Sequence, residues 1–158
     1  MAHFFKAKEV ALAAVEIEKQ GVLIYKRLAM WAENPEAKKF YEFFAGEETR
    51  HETLFQALAD RLGELELPAW SSQEEYADYL KTLVETHDIF LWNMSEQLLT
   101  QAPGDQEAVK LAMSFEKNSI LFFLEMKDLV PDGEKKFVQE CVEEERRHLR
   151  QLAGMLRK

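Results

Sequence analysis

Residues 38–51 read KKFYEFFAGEETRH, and residues 135–148 read KKFVQECVEEERRH. The two segments are identical at seven of fourteen positions, at an offset of 97 residues. A second pair, IEKQGVLIY at 17–25 and FEKNSILFF at 115–123, is related at an offset of 98. Matches at nearly one offset indicate an internal duplication. We interpret the chain as two similar helical hairpins, which can pack about a pseudo-two-fold axis and bring their repeated residues together.

Helices are predicted on both sides of four breaks in an apolar pattern with a period of 3.6 residues. Each break contains a proline and, close to it, a residue such as Asn34 or Gly104 that favours a helix end. No segment alternates with a period of two, so we expect no β-sheet. The predicted helices are A at 6–32, B at 35–62, C at 105–129 and D at 132–157.

The segment 64–104 is too long for a simple loop. Ser72 and Glu75 have the spacing of a capping box, and apolar residues follow them at helical spacing. Helix B would be roughly 40 Å long at about 1.5 Å per residue, so this segment can return the chain along the whole bundle. We therefore predict an all-α four-helix bundle in which residues 1–158 form one domain, with a long, partly helical crossover between helices B and C.

Composition excludes several classes of protein. The 158 residues are 47% hydrophobic and carry a formal charge of -9, which argues against a nucleic-acid partner. Cys141 is the only cysteine, so neither an internal disulfide nor a four-cysteine metal site is possible within the chain. The longest apolar run, residues 10–15, is too short to span a membrane, and the start of the sequence does not resemble a signal peptide. We expect a cytoplasmic protein.

Acidic residues interrupt otherwise apolar helix faces at four positions. Glu48 and His51 are spaced i, i+3, as are Glu145 and His148, so each pair projects from one side of its helix. Glu18 and Glu116 are single acids on apolar stripes, about 30 residues before these pairs. Buried, unpaired carboxylates cost several kcal/mol each, and two divalent cations would neutralise four of them. The pattern predicts a two-metal site, and a structural bundle with protonated acids is the alternative.

Other polar residues are predicted to lie outside the site. Glu47 and Glu144 lie about 100° around their helices from the ligand positions, so we expect them on the surface. His3 and His87 have no repeated partner and are predicted not to be ligands. Cys141 is interpreted as a buried apolar residue.

Tyr25 lies seven residues after Glu18 on the same face and is a candidate hydrogen-bond donor or redox-active side chain. Two glycines predicted to lie inside helices, Gly21 and Gly46, are expected to permit close helix packing.

The arrangement resembles the ferritin-like di-iron carboxylate proteins, which bind metal through two single glutamates and two Glu-x-x-His pairs. Residues 18–25, 38–40 and 47–51 look most like the rubrerythrin branch. The resemblance implies two iron ions per chain, with Glu48 and Glu116, or their symmetry mates, bridging them. Manganese or zinc would also suit carboxylate and imidazole ligands. The implied ligands are Glu18, Glu48, His51, Glu116, Glu145 and His148.

The sequence departs from the family pattern in two ways. The chain ends at Lys158 without a four-cysteine rubredoxin module, so electrons are expected from an external electron-transfer protein. Ser119 and Phe123 stand where relatives tend to have a carboxylate and often a tyrosine. The resemblance implies a homodimeric oxidoreductase that reduces hydrogen peroxide or dioxygen. The alternative is a ferroxidase, iron-handling or storage protein without redox turnover.

Overall fold

A computed structural model describes residues 7–62 and 74–157, and every regular element in these ranges is an α-helix. The predicted helices A to D correspond to α1, α2, α4 and α5, and their ends agree to within one residue. The predicted all-α class is confirmed. The crossover contains a full helix, α3, whereas its predicted start at Ser72 lies outside the described residues. The helices are α1 Ala7–Trp31, α2 Pro35–Leu62, α3 Glu74–Thr100, α4 Asp105–Leu129 and α5 Asp132–Leu156.

The two hairpins of the duplication pack as units. Helix α1 lies along α2, and α4 lies along α5, while α3 packs against both α1 and α4. The backbones of α2 and α5 lie farther apart than the backbones of the two helices within each hairpin. Long side chains can therefore fill the space between α2 and α5. No helix in the described ranges has an apolar stretch that could cross a bilayer.

Helix ends are held by side chains that the sequence places there. The Asn34 side chain accepts hydrogen bonds from the backbone N–H groups of Glu36 at 2.9 Å and Ala37 at 3.3 Å, which caps α2. The Trp31 indole N–H donates to the backbone carbonyl of Leu98 at 2.8 Å. This bond joins the end of α1 to the last turn of α3, where carbonyl groups lack helical partners.

Gly21 lets α1 approach the centre of the bundle closely. A methyl group built on its Cα would lie 2.6 Å from Cζ of Phe115 and 3.3 Å from Cγ of Glu48. The same construction at Gly46 meets nothing within 4 Å. The expectation of close packing is therefore correct for Gly21 and wrong for Gly46, which lies on an exposed face of α2.

Replacing each glycine by alanine tests this difference. Both changes gain about 1 kcal/mol of helix propensity, but only Gly21→Ala overpacks the core. We expect Gly21→Ala to be less stable than Gly46→Ala by about 1–3 kcal/mol in urea denaturation. Equal stabilisation by the two changes would show that Phe115 moves aside at no cost.

Candidate metal centre

Four helices each send acidic side chains into one point of the bundle interior. The side chains of Glu18, Glu48, Glu116 and Glu145 have no exposed surface. His51 is also fully buried, and His148 is 4% exposed. The structure therefore brings together all six residues that the sequence singled out. Helix α1 supplies Glu18, α2 supplies Glu48 and His51, α4 supplies Glu116, and α5 supplies Glu145 and His148.

The six residues form two overlapping groups of four. In each group, one polar atom per residue lies within 4.8 Å of the corresponding atoms of the other three. One group contains Glu18 and His51, the other contains Glu116 and His148, and both contain Glu48 and Glu145. Each half of the duplication thus contributes to both groups, as expected for two hairpins packed about a pseudo-two-fold axis.

The two shared glutamates direct one oxygen towards each histidine. Glu48 places Oε2 3.4 Å from Nδ1 of His51 and Oε1 3.5 Å from Nδ1 of His148. Glu145 places Oε1 2.7 Å from Nδ1 of His51 and Oε2 3.4 Å from Nδ1 of His148. The geometry therefore favours Glu48 and Glu145 as the bridging pair. Glu116 belongs to one group only, so its expected bridging position is not supported.

The polar atoms of the centre point at one another without forming hydrogen bonds. Among the described residues, none is hydrogen-bonded to the carboxylate oxygens of Glu18, Glu48 or Glu145. The same holds for Nδ1 of both His51 and His148, and the 2.7 Å contact of His51 with Glu145 lacks hydrogen-bond geometry. Buried polar atoms without partners are costly. Carboxylate oxygens and imidazole nitrogens arranged in this way fit a pair of divalent transition-metal ions.

Without metal, the centre balances its charges with protons. Burial raises the pKa of Glu18 and Glu116 well above the usual range, and the charges of Glu48 and Glu145 raise it further. Burial alone lowers the pKa of His148, but the surrounding carboxylates outweigh this and raise it to about 12. The pKa of His51 is raised for the same reason. Metal ions would therefore compete with protons for the histidine nitrogens and for the carboxylates of Glu18 and Glu116.

Tyr25 lies beside the centre, as its spacing from Glu18 predicts. Its hydroxyl donates a hydrogen bond to Oε1 of Glu116, and the side chain is fully buried. Its ring packs against Phe44 and Phe115, with centroids 5.2 Å and 5.9 Å away. Burial and the Glu116 carboxylate raise the pKa of Tyr25, so the phenol keeps its proton.

Glu144 is not the surface residue that the sequence predicted. Its Oε2 lies 2.6 Å from Nε2 of His51, on the side of the ring opposite the centre, and Arg50 also binds this carboxylate. Glu47 binds Arg50 at 2.8 Å and is likewise partly buried. Helical spacing misplaced Glu144 because its partners lie on α2, across the gap between the hairpins. The sequence of α5 alone does not indicate a contact between Glu144 and α2.

The remaining polar candidates lie outside the centre. His87 belongs to α3, is 4% exposed, and has its pKa lowered to about 4 by burial. Cys141 is buried, which raises its pKa to about 12, in agreement with an apolar role. The hydroxyl of Ser119 donates to the backbone carbonyl of Phe115 at 2.9 Å. Within residues 7–62 and 74–157, neither His87 nor Cys141 belongs to a group of possible metal ligands. His3 lies outside the described residues.

The pKa shifts predict how pH changes the stability of the metal-free protein. His51 and His148 hold protons in the folded state that the unfolded chain releases above a pKa of about 6.5. Their contribution to stability is therefore lost as pH rises, by about 1.4 kcal/mol per pH unit for each such proton. The raised pKa values of Glu18 and Glu116 act in the same direction.

Melting temperatures measured between about pH 6 and 9, with and without metal, test this dependence. The metal-free protein is expected to melt at lower temperature as pH rises, whereas bound metal should reverse or flatten the trend. Glu18→Gln, which removes one titrating group, should make the slope of the metal-free protein shallower. Equal melting temperatures with and without metal at about pH 8 would contradict a buried acidic centre.

Comparison with known proteins agrees with the fold. The family model described as rubrerythrin matches residues 9–156. A solved structure from Thermotoga maritima, provisionally described as a ferritin-like diiron-carboxylate protein, superposes with a TM-score of 0.74 at 24% identity. The match covers 100% of this chain and 99% of that one, and at this identity it shows the shared fold. No curated protein matches the sequence. Since the family model spans nearly the whole chain, the protein belongs to the rubrerythrin family.

Proposed function

We propose that this protein holds two iron ions and reduces hydrogen peroxide or dioxygen with electrons from an external donor. The observation that carries the proposal is the pair of four-residue groups that share Glu48 and Glu145. The carboxylate oxygens of Glu48 and Glu145 are buried and have no hydrogen-bond partner among the described residues. Membership of the rubrerythrin family and the fold shared with the Thermotoga maritima protein support iron over other divalent ions.

The duplicated geometry assigns a role to each ligand. Glu18 and His51 would complete one half-site, and Glu116 and His148 would complete the other. Glu48 and Glu145 would bridge, since each directs one oxygen to each histidine. Four carboxylates neutralise two divalent ions, so the filled site would carry no net charge into the apolar interior.

A bound ferrous pair supplies two electrons, the number needed to cleave the O–O bond of peroxide. The chain's own residues prepare the site for this reaction. The surrounding aromatic core, including Phe44 and Phe115, excludes water from the ligands. Tyr25 holds a proton at its hydroxyl and donates it as a hydrogen bond to Glu116, which keeps that carboxylate in place.

Small molecules would reach the site beside His148. This histidine lines a surface depression of about 170 Å³ between α2 and α5, whereas the other five ligands have no exposed surface. The depression is also lined by Glu47, Arg50, Glu144 and Arg147, so its rim is charged. Peroxide and dioxygen are small enough for such an opening.

The ligand assignment predicts metal contents that differ between shared and unshared glutamates. Wild-type protein should bind two ions per chain. Glu48→Ala or Glu145→Ala should lose most of both, because each variant damages both half-sites. Glu18→Ala and Glu116→Ala should each retain about one ion, because the other half-site keeps its four ligands. The content is measured by elemental analysis after loading under anaerobic conditions and removal of excess metal.

Glu16→Ala is the matched control, because Glu16 lies on the same helix as Glu18 with its side chain 61% exposed. It should bind two ions. Circular dichroism of each metal-free variant should show the helix content of the wild type, which separates loss of a ligand from loss of the fold. Full metal content in Glu48→Ala or Glu145→Ala would contradict the bridging assignment.

Repeated additions of Fe(II) and peroxide separate redox turnover from iron storage. If the centre reduces peroxide, oxidation should consume about one peroxide per iron pair and then stop until an electron-transfer protein and its reductase are added. Iron retained per chain should stay near two in particles of dimer mass. Accumulation of tens of irons per chain in large soluble assemblies would show storage instead.

A further inference from the structure

The two histidines of the centre have different surroundings on their outer sides. Nε2 of His51 lies 2.6 Å from Oε2 of Glu144, and this ring is fully buried. His148 is packed against Phe44, with ring centroids 4.8 Å apart, and lines the surface depression. Its ion-pair contacts with described carboxylates all involve Nδ1, and none involves Nε2. Among the described residues, therefore, only His51 of the two repeated histidines has a carboxylate partner outside the centre.

This difference breaks the symmetry of the duplication. At the offset of 97 residues, Glu47 is the counterpart of Glu144, and for the symmetry to hold it would have to bind Nε2 of His148. Glu47 lines the same depression as His148, but among the described residues no ion pair joins the two. Instead, Glu47, His51 and Glu144 each place one polar atom within 4.8 Å of the others. Both outer glutamates thus gather at His51.

Arg50 holds the outer glutamates in this arrangement. Its guanidinium binds Glu47 at 2.8 Å through Nη2 and 3.2 Å through Nε, and Nη2 also binds Glu144 on the opposite hairpin. The positive charge of Arg50 opposes a third metal ion at these carboxylates. At His51 these carboxylates are instead hydrogen-bond acceptors, on the side of the imidazole ring that faces away from the centre.

A carboxylate on the outer nitrogen determines how a histidine binds metal. When Nε2–H donates to Glu144, the lone pair of His51 lies on Nδ1, which points at Glu48 and Glu145. The ring orientation is then fixed, and the basicity of Nδ1 increases. His148 has no such carboxylate within the described part of the chain, and its outer edge meets the depression.

We propose that Glu144, held by Arg50, is a positioning residue that makes the two half-sites unequal. The ion bound by His51 is held tightly and exchanges slowly. The ion bound by His148 is the one that exchanges with solution through the depression beside it. The inference rests on the proposed two-metal function. It adds that the two half-sites exchange their ions at different rates, although their ligands are of the same types.

Chelator-driven release of Zn²⁺ from the loaded protein tests the proposal without any measurement of turnover. Wild-type protein should release two ions in two phases of equal amplitude. Glu144→Ala should speed the slow phase by about 10–100-fold and leave the fast phase unchanged, because outer carboxylates typically affect metal affinity to this extent. Glu144→Gln, which retains an oxygen acceptor for Nε2–H, should give an intermediate rate.

Glu143→Gln is the matched control. Glu143 precedes Glu144 on α5, and its side chain is 51% exposed and pairs with Arg146 at 2.8 Å. This variant should keep the wild-type release curve. In nitrogen-15 spectra of the Zn²⁺-loaded protein, the Nε2 proton of His51 should exchange slowly and that of His148 rapidly. Glu144→Ala should abolish the difference.

Release of both ions in a single phase from wild-type protein would overturn the proposal and leave the two-metal function intact. Acceleration of both phases by Glu144→Ala, or an equal effect of Glu143→Gln, would also overturn it, since either result indicates general loosening of α5. Binding of fewer than two Zn²⁺ ions by the wild type would contradict the proposed function itself, and this inference with it.

Discussion

Burial of four carboxylates in one apolar interior is the constraint on which the rest of this structure depends. Glu18, Glu48, Glu116 and Glu145 have no contact with solvent, and no lysine or arginine among the described residues reaches them. Like charges at such distances repel strongly where the dielectric constant is low. The bundle can tolerate them only if protons or cations supply positive charge. The centre therefore makes the fold sensitive to both pH and metal.

The helices are arranged so that these acids meet. In one hairpin α1 packs along α2, and in the other α4 packs along α5. The wider space between α2 and α5 accommodates the two Glu-x-x-His motifs. Gly21 brings α1 close enough for Phe115 and Glu48 to pack against its backbone. Tyr25 then joins α1 to the Glu116 carboxylate of α4. Gly21, Phe115 and Tyr25 thus position Glu48 and Glu116, which lie on two different helices.

Duplication supplies equivalent ligands, but the surroundings of those ligands are not equivalent. Both halves contribute one single glutamate and one Glu-x-x-His pair. The shared residues Glu48 and Glu145 each direct one oxygen to each of the two histidines. Outside this set, Arg50 joins Glu47 to Glu144 and leaves His148 at the edge of a depression. With the proposed metal pair bound, such a pattern would let one half-site retain its ion while the other exchanges its ion with solution.

Most of the fold and the inner part of the site were predictable from the sequence, for reasons that are local. Prolines and apolar periodicity located four helices to within one residue at each end. An acid on an otherwise apolar helical stripe identifies an inward-facing carboxylate, because the i, i+3 and i+4 positions share a face. The repeat then indicated that Glu48 and Glu145 belong to one centre, since similar hairpins pack about a common axis.

Contacts between hairpins were not predictable in this way, because helical spacing carries no information about the neighbouring helix. Helical spacing predicted close packing at both Gly21 and Gly46, although only Gly21 faces Phe115. It also placed Glu144 on the surface, whereas Arg50 and His51 of α2 hold it at the edge of the centre. The sequence thus determined which side chains point inward. Packing of the two hairpins determined which carboxylates are shared, and which histidine has a partner behind it.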